Sequence, residues 1–138
     1  MNENKYKELL ALAKQARGAS YCPYSHFAVG AALLTADNKV YLGANIENAS
    51  STPTVCAERV AFFKAVSEGE RSFTAIAIVG GREGEPSSDP TPPCGVCRQV
   101  MAEFVSDDFK IILEEGENAA VYTMAEILPL RFDKTNLD

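Results

Sequence analysis

Apolar residues near the start of the chain have the spacing of an amphipathic helix. They recur at i, i+3, i+4 and i+7, which places them on one helix face: Tyr6, Leu9, Leu10 and Ala13. Gly18 follows as a residue that can cap the carboxyl end. The pattern therefore predicts a helix over residues 3–17 that packs against another element through its apolar face.

Three further segments are predicted to be helical. Residues 56–68 are rich in alanine, glutamate and phenylalanine, and Gly69 follows them as a helix-ending residue. Residues 97–104 form a second helical stretch. Thr123 and Glu126 have the spacing of a capping box, which predicts the start of a last short helix.

Five other segments have the composition of strands: residues 29–35, 40–45, 75–79, 110–113 and 119–122. The turn sequence Asp37-Asn38 joins the first two, which predicts a β-hairpin. The third is an uninterrupted apolar run, typical of a strand covered on both faces. Residues 81–93 contain four of the seven prolines and predict a loop. The chain is therefore predicted to form one α/β domain over residues 1–138, a three-layer α/β/α sandwich with a mixed five-stranded sheet.

Composition and charge narrow the class of ligand. The chain has 138 residues, of which 46% are hydrophobic and 23% are charged, so it can bury a core without disulfide bonds. Its formal net charge is −6, which argues against binding polynucleotide phosphates by counterion release. A small or neutral ligand suits this charge better.

The hydrophobic pattern also bears on location. No apolar run approaches the roughly 20 residues of a transmembrane helix, and the first residues lack the apolar stretch of a secretory leader. We therefore expect a cytoplasmic protein that does not bind membranes. In a reducing compartment, four cysteines are more typical of metal ligands or catalytic thiols than of disulfides.

Three of the four cysteines stand where a helix is predicted to begin. Cys56 opens one helix, and Cys94 and Cys97 form a Cys-x-x-Cys pair 38 residues later. Taken alone, the pair also suits a thioredoxin-like dithiol, because a helix N-terminus lowers thiol pKa values. With Cys56 added, three thiolates can bind zinc tetrahedrally and leave the fourth position open, as in catalytic sites.

Glu58 and Arg59 follow the first of these cysteines. Glu58 lies close to the expected metal without being needed as a ligand, which suits a proton shuttle; the alternative is an ordinary first-turn glutamate favoured by the helix dipole. Three thiolates and one Zn²⁺ sum to a charge of −1. Arg59, one turn from Cys56, is the candidate to offset that charge, and the alternative is a surface arginine.

A Cys-x-Glu segment followed later by Pro-Cys-x-x-Cys is the all-cysteine form of the zinc deaminase motif. From Tyr21 to Phe132 the chain resembles the small homotetrameric cytidine deaminases of pyrimidine salvage. The segments that carry the resemblance are residues 22–27 (Cys-Pro-Tyr-Ser-His-Phe), 45–50 (Asn-Ile-Glu-Asn-Ala-Ser), 56–59 and 93–100.

The resemblance implies hydrolytic deamination of cytidine and 2′-deoxycytidine to the uridines by zinc-activated water. One Zn²⁺ per chain would be held by Cys56, Cys94 and Cys97, with Glu58 as the catalytic residue and Arg59 beside the ligands.

The same resemblance implies five substrate contacts: Phe27, Asn45, Glu47, the backbone at Ala57, and Phe132. Phe132 would reach the site of a neighbouring subunit in a homotetramer. Without the resemblance, Asn45 would be interpreted as a turn residue and Phe27 as a core residue.

Some features leave alternatives open. Ser51-Thr52-Pro53 stands where the family has a stretch similar to Tyr-Gly-Leu, and the smaller Ser51 would leave space for cytidines substituted at N4 unless subunit packing fills it. The lone histidine, His26, is expected to be structural or exposed.

The alternative functions are deamination of another aminopyrimidine nucleoside or nucleoside antibiotic, and a non-catalytic structural zinc module in which Cys22 is a fourth ligand.

Overall fold

The computed structural model of the chain describes residues 1–87 and 89–138, and its centre is a five-stranded mixed sheet. The strands are β1 (Phe27–Thr35), β2 (Val40–Ala44), β3 (Phe73–Arg82), β4 (Lys110–Glu115) and β5 (Asn118–Thr123). The α-helices are α1 (Glu3–Ala16), α2 (Ala57–Ser67), α3 (Gly95–Phe104) and α4 (Met124–Ile127). Short 3₁₀ turns cover Arg17–Ala19 and Lys134–Leu137.

The strand order across the sheet is β2-β1-β3-β4-β5. The β1–β2 pair is the predicted antiparallel hairpin, with Gly30 opposite Ala44 and Leu34 opposite Val40. Among the strand pairs, only β3–β4 is parallel. The helix α3 lies between these two strands in the chain and provides the crossover connection that parallel neighbours need. The mixed five-stranded sheet predicted from the sequence is therefore confirmed.

Helices cover both faces of the sheet. On one face, α1 packs its apolar side against alternate residues of the central strands, in a cluster that includes Leu9, Leu10, Ala13, Ala32, Ala77 and Ile112. On the other face, α2 and α3 pack against the intervening residues, in a cluster that includes Phe62, Met101, Leu33, Ile76 and Ile111. The three-layer sandwich is thus confirmed, with β3 buried on both sides as its apolar run predicts.

Two details of the prediction are wrong. Gly18 does not cap α1 in a left-handed conformation, because the chain continues from the helix into the 3₁₀ turn that contains it. The third strand also extends through Arg82 into the predicted loop, since Phe27 to Val29 of β1 continue to pair with it. Ser88 of that loop lies outside the described residues.

The helix that carries the first cysteine approaches the sheet closely. A Cβ atom at Gly43 would lie 2.3 Å from the Ala57 carbonyl oxygen and 2.6 Å from the Ala61 amide nitrogen. A glycine on β2 is therefore required for the start of α2 to lie directly on the sheet. Among the helices of residues 1–87 and 89–138, none is long and apolar enough to cross a bilayer.

Candidate metal centre and active site

Three cysteine thiols converge where α2 and α3 begin. Cys56 is the N-cap residue of α2 and Cys94 the N-cap residue of α3, while Cys97 lies in the first turn of α3. The Sγ atoms of Cys56 and Cys94 are 4.0 Å apart, those of Cys94 and Cys97 are 3.5 Å apart, and all three lie within 4.8 Å of one another. The helix starts predicted for these cysteines are confirmed.

This thiol geometry fits a zinc ion. Tetrahedral Zn–S bonds of about 2.3 Å place two sulfur ligands about 3.8 Å apart, close to the Sγ separations of 4.0 and 3.5 Å. The set contains one half-buried and one fully buried thiol, Cys56 and Cys97, and one exposed thiol, Cys94. The three thiolates could hold Zn²⁺, and an ion with three protein ligands would leave its fourth position to water.

Arg59 lies against the first of these sulfurs. Its Nη2 atom is 3.5 Å from Cys56 Sγ and 3.5 Å from the Thr54 carbonyl oxygen. Hydrogen bonds from the Cys97 thiol and from Arg59 lower the pKa of Cys56 to about 5, and donation to Cys56 raises the pKa of Cys97. The arrangement favours negative sulfur at Cys56 and supplies a nearby positive charge, so Arg59 is not a free surface residue.

Glu58 is buried beside the thiols. The residue is only 5% exposed, and its place in the first turn of α2 brings it to the same cavity as Cys56 and Cys94. Burial raises the pKa of its carboxyl to about 7, because the charged form is poorly solvated there. A carboxyl with such a pKa can both accept and donate a proton near neutral pH.

A cavity of about 180 Å³ adjoins the thiols. Its wall includes Cys56, Glu58 and Cys94, and the other residues that line it are Val29, Asn45, Thr54, Val55, Ala57, Thr91 and Pro92. A Cβ atom at Gly80 of β3 would lie 2.7 Å from Thr91 Oγ1 and 3.0 Å from the Phe27 ring. A glycine at this position therefore leaves room for both side chains. Thr91 and Pro92 were not among the predicted site residues, although they directly precede the Cys94 segment in the chain.

Asn45 combines a structural and a site role. Its Oδ1 atom accepts from the Val29 amide at 2.9 Å, and its Nδ2 atom donates to the Phe27 carbonyl at 2.9 Å. These bonds fix the amide at the cavity wall and leave it one further donor and one further acceptor site. The Ala57 amide, in the first turn of α2, belongs to the group that helix geometry leaves without an intrahelical acceptor, and Ala57 lines the same cavity.

A second concavity, of about 360 Å³, contains Glu47 and Ser51. Glu47 accepts hydrogen bonds from the Tyr24 and Ser25 amides at 2.9 and 3.1 Å and from the Ser25 hydroxyl, and this last bond is the main cause that lowers its pKa. Thr54 lines both concavities. Ser51 lines this second concavity with Glu47 and is not among the residues that line the metal cavity.

Two tempting ligands lie outside the cluster. Cys22 is buried, with 2% of its surface exposed, and does not belong to the group formed by the other three cysteines. His26 is exposed and contacts Glu83, with Nδ1 and Oε1 3.4 Å apart. His26 is exposed, in agreement with the sequence analysis, and Cys22 lies outside the three-thiol group that the structural zinc module would need it to join.

Phe132 is not in the site of its own chain. It follows the turn after α4 and is 63% exposed. Phe27 is also partly exposed, at 41%, so neither aromatic ring behaves as a core residue. Neither ring is among the residues that line the metal cavity, although the Phe27 ring lies beside Gly80, as does Thr91 of the cavity wall.

Comparison with known proteins identifies close relatives. The family model described as the cytidine and deoxycytidylate deaminase zinc-binding region matches residues 3–113. A cytidine deaminase of Sporosarcina psychrophila is 48% identical over 132 residues, covering 95% of this chain and 93% of the relative. A cytidine deaminase of Halalkalibacterium halodurans is also 48% identical over 132 residues, covering 94% and 96%.

A solved structure supports the same relationship. The crystal structure of cytidine deaminase from Burkholderia pseudomallei superposes with a TM-score of 0.83 at 42% sequence identity. The match covers 96% of this chain and 100% of that one. Similarity therefore extends over the fold and over nearly the full length of both chains.

Proposed function

The chain belongs to the family of zinc-binding cytidine and deoxycytidylate deaminases, and from that premise we propose that it hydrolyses cytidine and 2′-deoxycytidine to the uridines and ammonia. The observation that carries the proposal is the buried carboxyl of Glu58, which lines one cavity together with Cys56 and Cys94, two of the three convergent thiols. A structural zinc site would have no use for a buried acid beside an open coordination position.

The residues divide the work of the reaction. Cys56, Cys94 and Cys97 would hold Zn²⁺, which when bound polarises a water molecule and makes it a better nucleophile at neutral pH. Glu58 accepts a proton from the water that attacks C4 of the base and donates it to N3. Glu58 then transfers the second proton of that water to the departing amino group, so that ammonia leaves and the carbonyl of uridine remains.

Other residues orient the nucleoside. The free hydrogen-bonding capacity of Asn45 and the carboxylate of Glu47 suit the ribose hydroxyls, and the amide at Ala57 suits an acceptor on the base. To the partly exposed ring of Phe27, which lies beside Gly80 as Thr91 does, we assign an apolar contact with the nucleoside. Three hydrogen bonds from Tyr24 and Ser25 hold Glu47 in place before any substrate binds.

A homotetramer with composite sites completes the proposal. The metal cavity, about 180 Å³, is smaller than the roughly 300–1,000 Å³ usual for ligand pockets, so further walls are needed to enclose a nucleoside. Phe132 is an exposed aromatic ring able to stack on a base. Sedimentation is expected to give a tetramer, and a fully active monomer would contradict this arrangement.

The thiol chemistry suits the cytoplasm. All four cysteines are free, and thiolate ligands persist where the environment is reducing. The alternative redox function of Cys94 and Cys97 would require the pair to cycle through a disulfide, which would release a metal ligand. We therefore place the reaction in the cytoplasm and assign the thiols to zinc.

The direct test follows cytidine with the purified, zinc-loaded protein. We expect loss of cytidine absorbance with equal amounts of uridine and ammonia, and a parallel reaction with 2′-deoxycytidine. Chelation of the metal is expected to stop the reaction and added zinc to restore it. Stoichiometric zinc with no turnover of cytidine or any other aminopyrimidine nucleoside would instead favour the structural module.

Substitution at N4 is expected to impair turnover. Ser51 lines the concavity of Glu47 and not the metal cavity, so we infer that its small side chain opens no space where the amino group leaves. We expect cytidine to be preferred over N4-methylcytidine by about 10-fold or more in kcat/KM, and Ser51→Tyr to leave that ratio unchanged. Equal rates for the two nucleosides, measured as uridine formed, would contradict this prediction.

Arg59→Gln is expected to weaken catalysis without unfolding the protein. The substitution removes the positive charge beside Cys56 Sγ, and loss of such a partner typically reduces metal affinity or activity by about 10–100-fold. Arg59→Lys, which keeps the charge but not the guanidinium geometry, is expected to be intermediate. Zinc affinity and kcat are measured for both variants, and wild-type values for Arg59→Gln would show that neither metal binding nor catalysis depends on the charge beside Cys56.

A further inference from the structure

The residues that follow the last metal ligand have a role not explained by zinc binding. Arg98 Nε donates to the Pro93 carbonyl at 2.8 Å, and its Nη1 donates to the Ile127 carbonyl at 2.8 Å. One guanidinium thus connects the residue before Cys94 with the end of α4. Because both acceptors are main-chain carbonyls, the connection fixes backbone positions rather than side-chain conformations.

The next residue makes a second connection to the same region. Gln99 Nε2 donates to the Phe132 carbonyl at 2.9 Å, although Gln99 itself is an exposed residue of α3. Residues 127–132, here called the tail segment, are therefore held at both ends by consecutive residues of one helix. The tail segment contains the exposed ring that the proposed function assigns to a neighbouring site.

Leu130, in the middle of the tail segment, has a strained backbone and an exposed side chain, whereas Ile127 and Leu128 pack against the core. Leu130 has a φ of +51° and a side chain that is fully exposed, a conformation that leucine adopts rarely and that packing of its own side chain does not stabilise. Arg131 adds a local tie, with its Nη2 paired to Asp107 and its Nη1 3.4 Å from the Leu128 carbonyl. Such a conformation persists only where surrounding contacts hold it.

We propose that Arg98 and Gln99 are positioning residues: they fasten the tail segment to the metal-binding loop, so that Phe132 is presented to the active site of a neighbouring subunit. The inference rests on the proposed deaminase function and its composite site. In this proposal α3 serves two active sites. Its first turn supplies metal ligands to the site of its own chain, and the next residues, Arg98 and Gln99, orient the Phe132 ring that enters the site of a neighbouring subunit.

The kinetic test uses Gln99→Ala, with Glu103→Ala on the same helix as the matched control. We expect the KM for cytidine to rise about 3- to 10-fold in Gln99→Ala, the range for loss of one aromatic stacking contact. Zinc content is expected to stay at the wild-type level, and Glu103→Ala to behave as wild type. An unchanged KM in Gln99→Ala would overturn the proposal.

A double-mutant cycle separates positioning from general stabilisation. If Gln99 acts through Phe132, the double variant Gln99→Ala/Phe132→Ala is expected to have the KM of Phe132→Ala alone. Independent effects that multiply in the double variant would show that Gln99 acts in some other way. An inactive wild-type protein would instead refute the deaminase function, so the two failures are distinguishable.

Mixed tetramers test whether the effect acts between subunits. Gln99→Ala subunits are co-expressed with an excess of Glu58→Gln subunits. Only the Gln99→Ala subunits then have an active Glu58 carboxyl, and their sites receive Phe132 from neighbouring subunits whose Gln99 is intact. We expect the KM of these mixed tetramers to return to the wild-type value. A KM that stays raised would mean that Gln99 serves the site of its own chain and would overturn the proposal.

A readout without catalysis follows the tail segment itself. Gln99→Ala is expected to accelerate tryptic cleavage after Arg131 in the folded protein, since local opening exposes the bond to the protease. Mass spectrometry distinguishes this cut from cleavage after Lys134. Equal cleavage rates in Gln99→Ala and wild type would show that the bond to the Phe132 carbonyl does not hold the tail segment.

Discussion

Glu58→Gln is expected to bind zinc and cytidine as the wild type does, yet to lose about 10²–10⁴-fold in kcat. The amide has the size of the carboxyl but cannot accept a proton from water or return one to the base. Because the residue is buried beside the thiols, no bulk buffer group can easily replace it. Stopped assays of uridine formation, with zinc content measured on the same samples, give the comparison.

The matched control is Glu103→Gln, which makes the same chemical change at an exposed position of α3. Wild-type kcat is expected for that variant. A kcat near the wild-type value in Glu58→Gln would remove this residue from proton transfer and leave it as a first-turn glutamate of α2.

Cys97→Ser is expected to lose zinc and with it all measurable turnover. Serine is a far poorer zinc ligand than thiolate, and two remaining thiols cannot hold the ion as three do. Cys22→Ser is the matched control, because Cys22 is almost as buried as Cys97, at 2% against 0% exposed, but lies outside the thiol cluster.

Metal analysis by atomic emission decides between these variants. Cys22→Ser is expected to retain one zinc per chain and wild-type kcat, although both variants bury a hydroxyl in place of a thiol and lose some stability. Loss of zinc in Cys22→Ser with retention in Cys97→Ser would reverse the ligand assignment and favour a structural metal site.

Much of the fold follows from local patterns. The hairpin, the buried β3 and the helices after Cys56 and Cys94 were predicted because apolar periodicity and helix-start residues are local signals. The extension of β3 through Arg82 was missed, since its pairing with β1 joins residues far apart in the chain. Gly18 was misassigned because a glycine suits both a left-handed cap and a 3₁₀ turn.

The site divides in the same way. Cys-x-x-Cys spacing predicts two ligands, but only tertiary packing of α2 beside α3 brings Cys56 to them. The hydrogen bonds from Arg98 and Gln99 to distant main-chain carbonyls do not produce any periodic pattern in the sequence from which they could be predicted. The separation of Ser51 from the metal cavity likewise depends on where Thr54 lies between the two concavities.

Zinc-edge X-ray absorption of the purified protein tests the central claim most directly, because it counts the sulfur ligands of the bound ion. Three sulfur atoms at about 2.3 Å and one lighter ligand are predicted for a catalytic site formed by Cys56, Cys94 and Cys97. Four sulfur ligands would show a closed structural site that includes Cys22, and would contradict the assignment of the chain's zinc to deamination.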